Sequence, residues 1–445
     1  MNIDKSKLES FVNSIQGKVL SDNTSEEFQQ SLKKRWNADV HHLPYIIVYT
    51  KNVQDISKSI DFARENNLPF GVKGGGHGCK SIADKGLFVD LSLMRNVRVD
   101  QDKKLAYAQG GCLLGDLDRE CAKYGLGVVS GHVSHTGLPG LVLGGGIGHL
   151  SRSFGTTADN LIEAELVTYD GKIHKVNETT DKDLLWALRG AGTNFGVVSE
   201  FVFNLYPVTD VILGVFVHPP HSIREALTKL GEFVERPEVP NAFSCAISMT
   251  PEGFTILGIF NGTEADAEPF LNEVASFGTP VVSQIQKMPY VALQSMIDDK
   301  VPSQLKYYQN GPFLKSTLTP DVVNVLLNAY DNHPTKSCAI LITHLGGKFQ
   351  DFDKSHSCFI HRDAKFQVIL MSIIPDDSLK PAIKKWTGDN SDLLKKFTLG
   401  DYGNTAEHTQ SLSSIYGENL DKLIEIKRKH DPTNFFFNNL NIKPY

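Results

Sequence analysis

Four glycines in five positions, Gly74-Gly75-Gly76-His77-Gly78, constrain this 445-residue chain more than any other stretch. They follow a short apolar run beginning at Pro69-Phe70-Gly71-Val72, which suits a buried strand. Glycine permits positive φ and lets a second surface come close. Successive free N–H groups in such a loop form an anion-binding concavity. The loop is therefore expected to hold a phosphate-bearing ligand, with His77 as its one reactive side chain. Two nucleotide motifs fit in part. A P-loop needs G-x-x-x-x-G-K-[ST] opening a helix. Residues 74–81 match except that Cys79 replaces the second glycine, and residues 87–91 read as a strand rather than a helix. The dinucleotide fingerprint G-x-G-x-x-G places Cys79 where its third glycine belongs, and it too requires a helix next.

Composition is that of a globular chain able to bury a large core, 41% hydrophobic and 22% charged. A net charge of −6 argues against a broad nucleic-acid surface. No basic-then-apolar run follows Met1, and no apolar run nears the roughly 20 residues of a membrane span. A cytoplasmic protein without a membrane partner is expected, with secretion open if the sequence is a processed chain. Six scattered cysteines with no C-x-x-C read as reduced thiols. Asn177-Glu178-Thr179 and Asn261-Gly262-Thr263 match the glycosylation pattern and carry weight only in a secreted chain.

Residues 1–40 read as polar and helical. A strand at 45–49, then Val53, Ile56, Ile60 and Ala63 on one helix face, then the strand into the glycine loop, make an α/β unit. Further strands are expected at 87–91, 97–99 and 105–109, and a helix carrying Leu113, Leu117 and Cys121. A second glycine-rich region follows, through Ser134-His135-Thr136-Gly137 to Gly144-Gly145-Gly146-Ile147-Gly148. A backbone lying against a flat ligand would justify such density. His132, His135 and His149 lack the carboxylate or cysteine of a metal-ligand set, so no metal is expected. After Pro207, strand runs at 211–217, 246–249, 255–260, 339–343 and 366–374 alternate with helical segments at 222–235, 263–277 and 320–332. The pattern predicts an α+β fold with a largely antiparallel sheet backed by helices. Domain limits are placed at residues 1–207 (core about 40–207) and 208–395, with 396–445 returning to the first domain.

Lys73-Gly74-Gly75-Gly76-His77, Gly144 to Gly148, Asp159-Asn160, the helix carrying Trp186, and Asn194-Phe195-Gly196-Val197-Val198 stand in the order and spacing of the FAD-binding half of the berberine-bridge-like oxidoreductases. The chain resembles that family, which shares the vanillyl-alcohol oxidase, PCMH-type FAD-binding fold. Tyr402-Gly403-Asn404 resembles the family's Y-x-N element, and Asp431-Pro432 through Asn441-Ile442 its closing segment. The resemblance covers residues 40–210 and 396–445 well and the middle weakly. It implies FAD, with the pyrophosphate against Gly74, Gly75, Gly76 and Gly78 beside Lys73. It implies the ring near Ser134, His135, Thr136, Gly137, Gly144, Gly145, Gly146 and Gly148. Asn160, Val198 and Asn441 are further cofactor candidates, Val198 towards the adenine.

The resemblance also implies a covalent bond from His77 to the flavin 8α-methyl. Relatives with a second bond use a cysteine where this chain has Val133, so a single link is expected. Thr136 stands where relatives carry a valine that gates oxygen, and its similar size predicts oxygen access and hydrogen peroxide. Arg and Gln usual around Phe437 and Leu440 are absent. The implied reaction moves a hydride from an alcohol or hemiacetal carbon of a sugar or specialised metabolite to the flavin. Tyr402 is the candidate base, with Asn404 beside it. Its ordinary pKa near ~10 requires a cation or the flavin to lower it. Tyr307 and Tyr308, with Gln309, are candidates for the substrate pocket, though paired tyrosines on a strand also serve packing. Three alternatives stand beside this: a dehydrogenase using another acceptor, a flavin-binding scaffold without turnover, and a degenerate P-loop protein binding ATP with Mg²⁺.

Overall fold

The computed structural model describes residues 3–39, 41–78, 83–353, 355–407, 411–437 and 440–445. Cys79, Lys80 and Ser81, the end of the P-loop-like run, lie outside the described residues. Strand Ile46–Tyr49, helix Val53–Glu65 and strand Phe70–Lys73 form the expected α/β unit. Both strands pair in parallel with Leu87–Asp90, which lies between them, and Lys18–Leu20 adds an antiparallel edge. Ile46–Tyr49 and Leu87–Asp90 are buried along their whole length. That explains why they read as unbroken apolar runs rather than alternations. The helix begins where the Asn52 side chain accepts the N–H of Asp55, and it lays Ile56, Ile60 and Ala63 on the sheet.

A second sheet is antiparallel, in the order 97–100, 105–109, 197–204, 161–167, 173–177. Helices Leu114–Ala122 and Lys182–Ala191 share its apolar cluster, together with Leu423 and Ile426 of the last helix, Leu420–His430. The chain end is thus tied back to the first sheets. Lys427 fixes it: its buried ammonium donates to Asp431 at 2.6 Å, to the Asn194 carbonyl at 2.8 Å and to the Phe436 carbonyl at 3.0 Å.

The middle of the chain forms one nine-stranded sheet in which every strand pair is antiparallel. Alternation divides its two faces. Ile212 and Phe216 face a cluster built with helices Ile223–Phe233, Glu264–Ala275, Pro320–Asp331 and Lys380–Leu394. Val211, Leu213 and Ile259 face the other way, onto Val129 and Leu150, which flank the second glycine-rich region. The sheet is therefore backed by helices on one face and turned towards the glycine loops on the other.

Three elements differ from the sequence reading. Residues 5–14 and 26–33 are helices, but strand Lys18–Leu20 separates them. Strand Val282–Pro289 is exposed almost throughout because it is the sheet's outer edge, and an edge strand with little buried surface has no alternation to betray it. Helix Lys380–Leu394 went unread because Gly388, Asp389 and Asn390 interrupt its pattern, while Ile383, Trp386 and Leu394 still reach the core. Among the described residues, no helix is long and apolar enough to cross a membrane. Cys112, Cys121, Cys245, Cys338 and Cys358 are buried free thiols.

Candidate active site

Strand Phe70–Lys73 delivers the glycine loop. Lys73 is buried and its ammonium pairs with Asp90 at 2.8 Å, across the two strands that carry them. Among the described residues, the N–H groups of Gly74, Gly75, Gly76 and His77 donate to no protein acceptor. Four successive unpaired N–H groups on a glycine loop are the donor set an anionic group requires.

The two glycine-rich regions touch. A Cβ on Gly75 would stand 2.3 Å from the Cα and N of Gly137, and one on Gly74 would stand 2.3 Å from Pro139 Cγ. Gly144 lies under Asn404, Gly145 under Phe359, Gly146 under Thr157, and Gly148 against the Gly131 backbone. Protein packing thus requires glycine at these positions, whether or not a flat ligand also lies against them. Gly78 differs: nothing stands within 4 Å of a Cβ built on it.

His77 projects from the first loop. Its ring stacks on Trp36 at 4.7 Å between centroids and 4° between planes, and Trp36 stacks on Tyr307 at 3.7 Å. Its Nε2 lies 2.9 Å from Nδ1 of His135, and its Nδ1 lies 3.5 Å from Thr136 Oγ1. Burial, then the neighbouring His135, pushes the His77 pKa down to about 3, so its imidazole is neutral. Trp36 had no signal in the sequence, being one aromatic in a polar segment. It is held by its indole N–H on the Val301 carbonyl at 3.0 Å and by its own N–H on the Gly76 carbonyl at 3.0 Å.

Tyr307 is buried; its hydroxyl donates to the Pro302 carbonyl at 2.5 Å, and its backbone is held by Asn37. Tyr308 alternates to the other face, where Lys384 sits over its ring at 5.3 Å. Ser134 is engaged by Asp298, at 2.9 Å through its N–H and 2.5 Å through its hydroxyl.

Tyr402 sits on the second glycine loop. Its phenolic oxygen accepts the N–H of Gly146 at 2.9 Å and the Asn404 side-chain amide at 2.8 Å; Asn404 also donates to the Leu141 carbonyl at 3.1 Å. Phe313, Phe359 and Ile147 close around the ring. Burial dominates and pushes its pKa up to about 12, although the bonds from Gly146 and Asn404 oppose it. Among the described residues, no cationic side chain bonds to Tyr402. Its O–H proton has no protein acceptor there either, which leaves a donor for a ligand.

Among the described residues, the remaining candidates share no hydrogen bond with His77 or Tyr402. Asn160 is buried and donates to the carbonyls of Phe154 and Thr156 at 3.0 and 2.8 Å. Val198 is buried in strand Val197–Asn204, and its carbonyl abuts Gly110. Among the described residues, Asn441 keeps a buried Oδ1 without a protein partner, as do Asn160 Oδ1 and Thr157 Oγ1. His132 and His149 meet edge to face at 4.6 Å, and burial lowers the pKa of both. The unpaired loop donors, the neutral His77 and the orphaned Asn441 and Thr157 oxygens fit a dinucleotide cofactor such as FAD.

Comparison with known proteins agrees with this geometry. The FAD binding domain family matches residues 44–177, and the berberine and berberine-like family matches residues 401–443. An FAD-linked oxidoreductase of Dictyostelium discoideum is 53% identical over 435 residues, covering 98% of this chain and 96% of that protein. (R)-6-hydroxynicotine oxidase of Paenarthrobacter nicotinovorans is 27% identical over 97% of both chains. The solved structure of the BBE-like 1 protein of Physcomitrella patens superposes with a TM-score of 0.89 at 20% identity, covering 96% of this chain and 97% of that one.

Proposed function

The chain belongs to the berberine-like FAD-linked oxidoreductases, and on that footing we propose that it is an oxidase of an alcohol or hemiacetal carbon, carrying FAD bonded to His77. When bound, FAD supplies the acceptor for the hydride. The observation that carries the reading is the Tyr402 hydroxyl, seated on the Gly144–Gly148 loop with a proton that no protein group among the described residues takes. Tyr402 would bind the substrate hydroxyl and relay its proton, with Asn404 fixing the phenol. The loop from Gly74 to Gly78 would hold the pyrophosphate, and Asn441 and Thr157 would supply acceptors to the cofactor. His77 would form the one link, since Val133 packs against Trp36 and Tyr307 and offers no thiol. Thr136, beside His77, is close in size to the valine that admits dioxygen in relatives, and kinship with a named oxidase supports dioxygen as acceptor. The substrate is a small molecule, a sugar or a specialised metabolite. The hydroxyl chemistry at Tyr402 suits both.

Denaturing the purified protein in SDS and reading flavin fluorescence on the chain tests the linkage. Fluorescence is expected to stay with wild type and be lost from His77→Ala. Incubation with a panel of sugars and alcohols is expected to release hydrogen peroxide. Reduction of the protein without peroxide would replace the oxidase by a dehydrogenase, and a colourless folded protein would remove the flavin reading altogether.

A further inference from the structure

His77 and His135 come from different glycine-rich loops and meet nitrogen to nitrogen at 2.9 Å. The His77 ring cannot turn freely, because it lies flat on Trp36, which is pinned by Val301 and stacked on Tyr307. One ring nitrogen of His77, Nε2, is therefore engaged by His135. The other, Nδ1, has the Thr136 hydroxyl at 3.5 Å, at the edge of hydrogen-bonding range. Burial and the adjacent ring both disfavour charge on His77, so a single proton is shared across the pair.

We propose that His135 is a positioning residue for covalent attachment of the flavin: it accepts the Nε2 proton of His77 and so holds the tautomer whose Nδ1 carries the lone pair. The inference rests on the His77 linkage proposed above. In the attachment a C–N bond forms between His77 Nδ1 and the flavin 8α-methyl carbon. A methyl C–H bond and the imidazole N–H bond break. The Nε2 proton passes to His135 as the new bond forms. The two hydrogens and two electrons finally leave on dioxygen as hydrogen peroxide. Without His135, no protein contact among the described residues holds the proton on Nε2 against its transfer to Nδ1, and the imidazolium formed during attack has no acceptor.

The test uses the full chain as wild type, His135→Ala and His135→Asn, each incubated with FAD and sampled over time by SDS denaturation and chain-bound fluorescence. Wild type is expected to retain its flavin. His135→Ala is expected to bind FAD but release it on denaturation, with attachment slowed at least 10-fold. His135→Asn, which can accept the hydrogen bond but not the proton, is expected to fall between them. Added imidazole is expected to speed attachment in His135→Ala, which a packing role would not produce. Attachment in both variants at the wild-type rate overturns the proposal and leaves the His77 link standing. Equal loss of FAD binding in both variants, unrelieved by imidazole, overturns it in favour of packing. Release of flavin from wild type instead fails the linkage itself.

Discussion

The phenolic oxygen of Tyr402 accepts the backbone N–H of Gly146 at 2.9 Å, joining groups 256 residues apart. The bond places the last segment of the chain on the second glycine loop and fixes the phenol there. Burial holds the Tyr402 pKa at about 12. A base with that pKa is almost wholly protonated at neutral pH, and its active fraction grows as pH rises. With any substrate that reduces the enzyme, kcat is expected to climb through the alkaline range in wild type. Tyr402→Phe is expected to lower kcat by about 10²-fold and flatten that climb. A pH–rate profile of the two proteins checks it. A wild-type plateau already reached at neutral pH would show that the bound flavin or substrate lowers the phenol's pKa.

Gly75 and Gly78 separate two reasons for glycine in one loop. A Cβ on Gly75 meets Gly137 backbone at 2.3 Å, and neither side can yield by rotating a side chain. Gly75→Ala is expected to push the two loops apart, costing about 1–3 kcal/mol and reducing FAD content. Gly78→Ala meets nothing within 4 Å and is expected to stay within about 0.5 kcal/mol of wild type. Thermal unfolding and the flavin-to-protein absorbance ratio read both. If Gly78→Ala folds normally but loses FAD, that glycine serves close approach of the pyrophosphate.

These glycines also show what was legible in the sequence. The strand before Gly74 and the parallel unit around it could be read because buried parallel strands are continuous apolar runs, and those at Ile46–Tyr49 and Leu87–Asp90 are buried at every position. The order of the motifs gave the family, and 53% identity to an FAD-linked oxidoreductase agrees. What could not be read was which partner each glycine serves. Gly144 faces Asn404 and Gly146 faces Thr157, pairings set by tertiary contact rather than by local pattern. Trp36 was invisible for the same reason. Its role arises from stacking between His77 and Tyr307, 41 and 271 residues further along the chain. Asp298, which holds Ser134, lies in a short polar segment with no periodicity to mark it.

Arg362 and Asp159 form a buried two-armed pair at 2.6 and 2.7 Å, with Ser357 on the same guanidinium. Asp159 also accepts the N–H of Thr156, so the pair fixes the turn that leads into Asn160. Arg362→Met would leave a buried carboxylate without its cation, a loss of about 3–5 kcal/mol. A lower urea midpoint is expected, and Asp159→Asn combined with Arg362→Met is expected to recover part of it. Equal midpoints for the single variant and wild type would show that water or another donor replaces the guanidinium.

Asp118 carries a pH dependence of stability that can be isolated. Its carboxyl is buried, accepts the Ser130 hydroxyl at 2.7 Å and the Gln294 amide at 3.2 Å, and burial pushes its pKa from 3.8 up to about 7. The folded state therefore binds the proton more tightly than the unfolded chain does. That contribution is fully present below about 3.8 and is lost as pH rises to about 7, with a slope no steeper than ~1.4 kcal/mol per pH unit. Asp118→Asn keeps an acceptor for Ser130 and Gln294 and cannot ionise. Wild type is expected to lose more thermal stability than Asp118→Asn between pH 5 and pH 8, values about the window set by these pKa limits. At the higher pH the variant is expected to be at least as stable as wild type. Other titrating groups are common to both proteins and cancel in the comparison. Parallel curves would mean that the carboxyl ionises in the folded protein as readily as in the unfolded chain, the bonds donated by Ser130 and Gln294 then offsetting its burial.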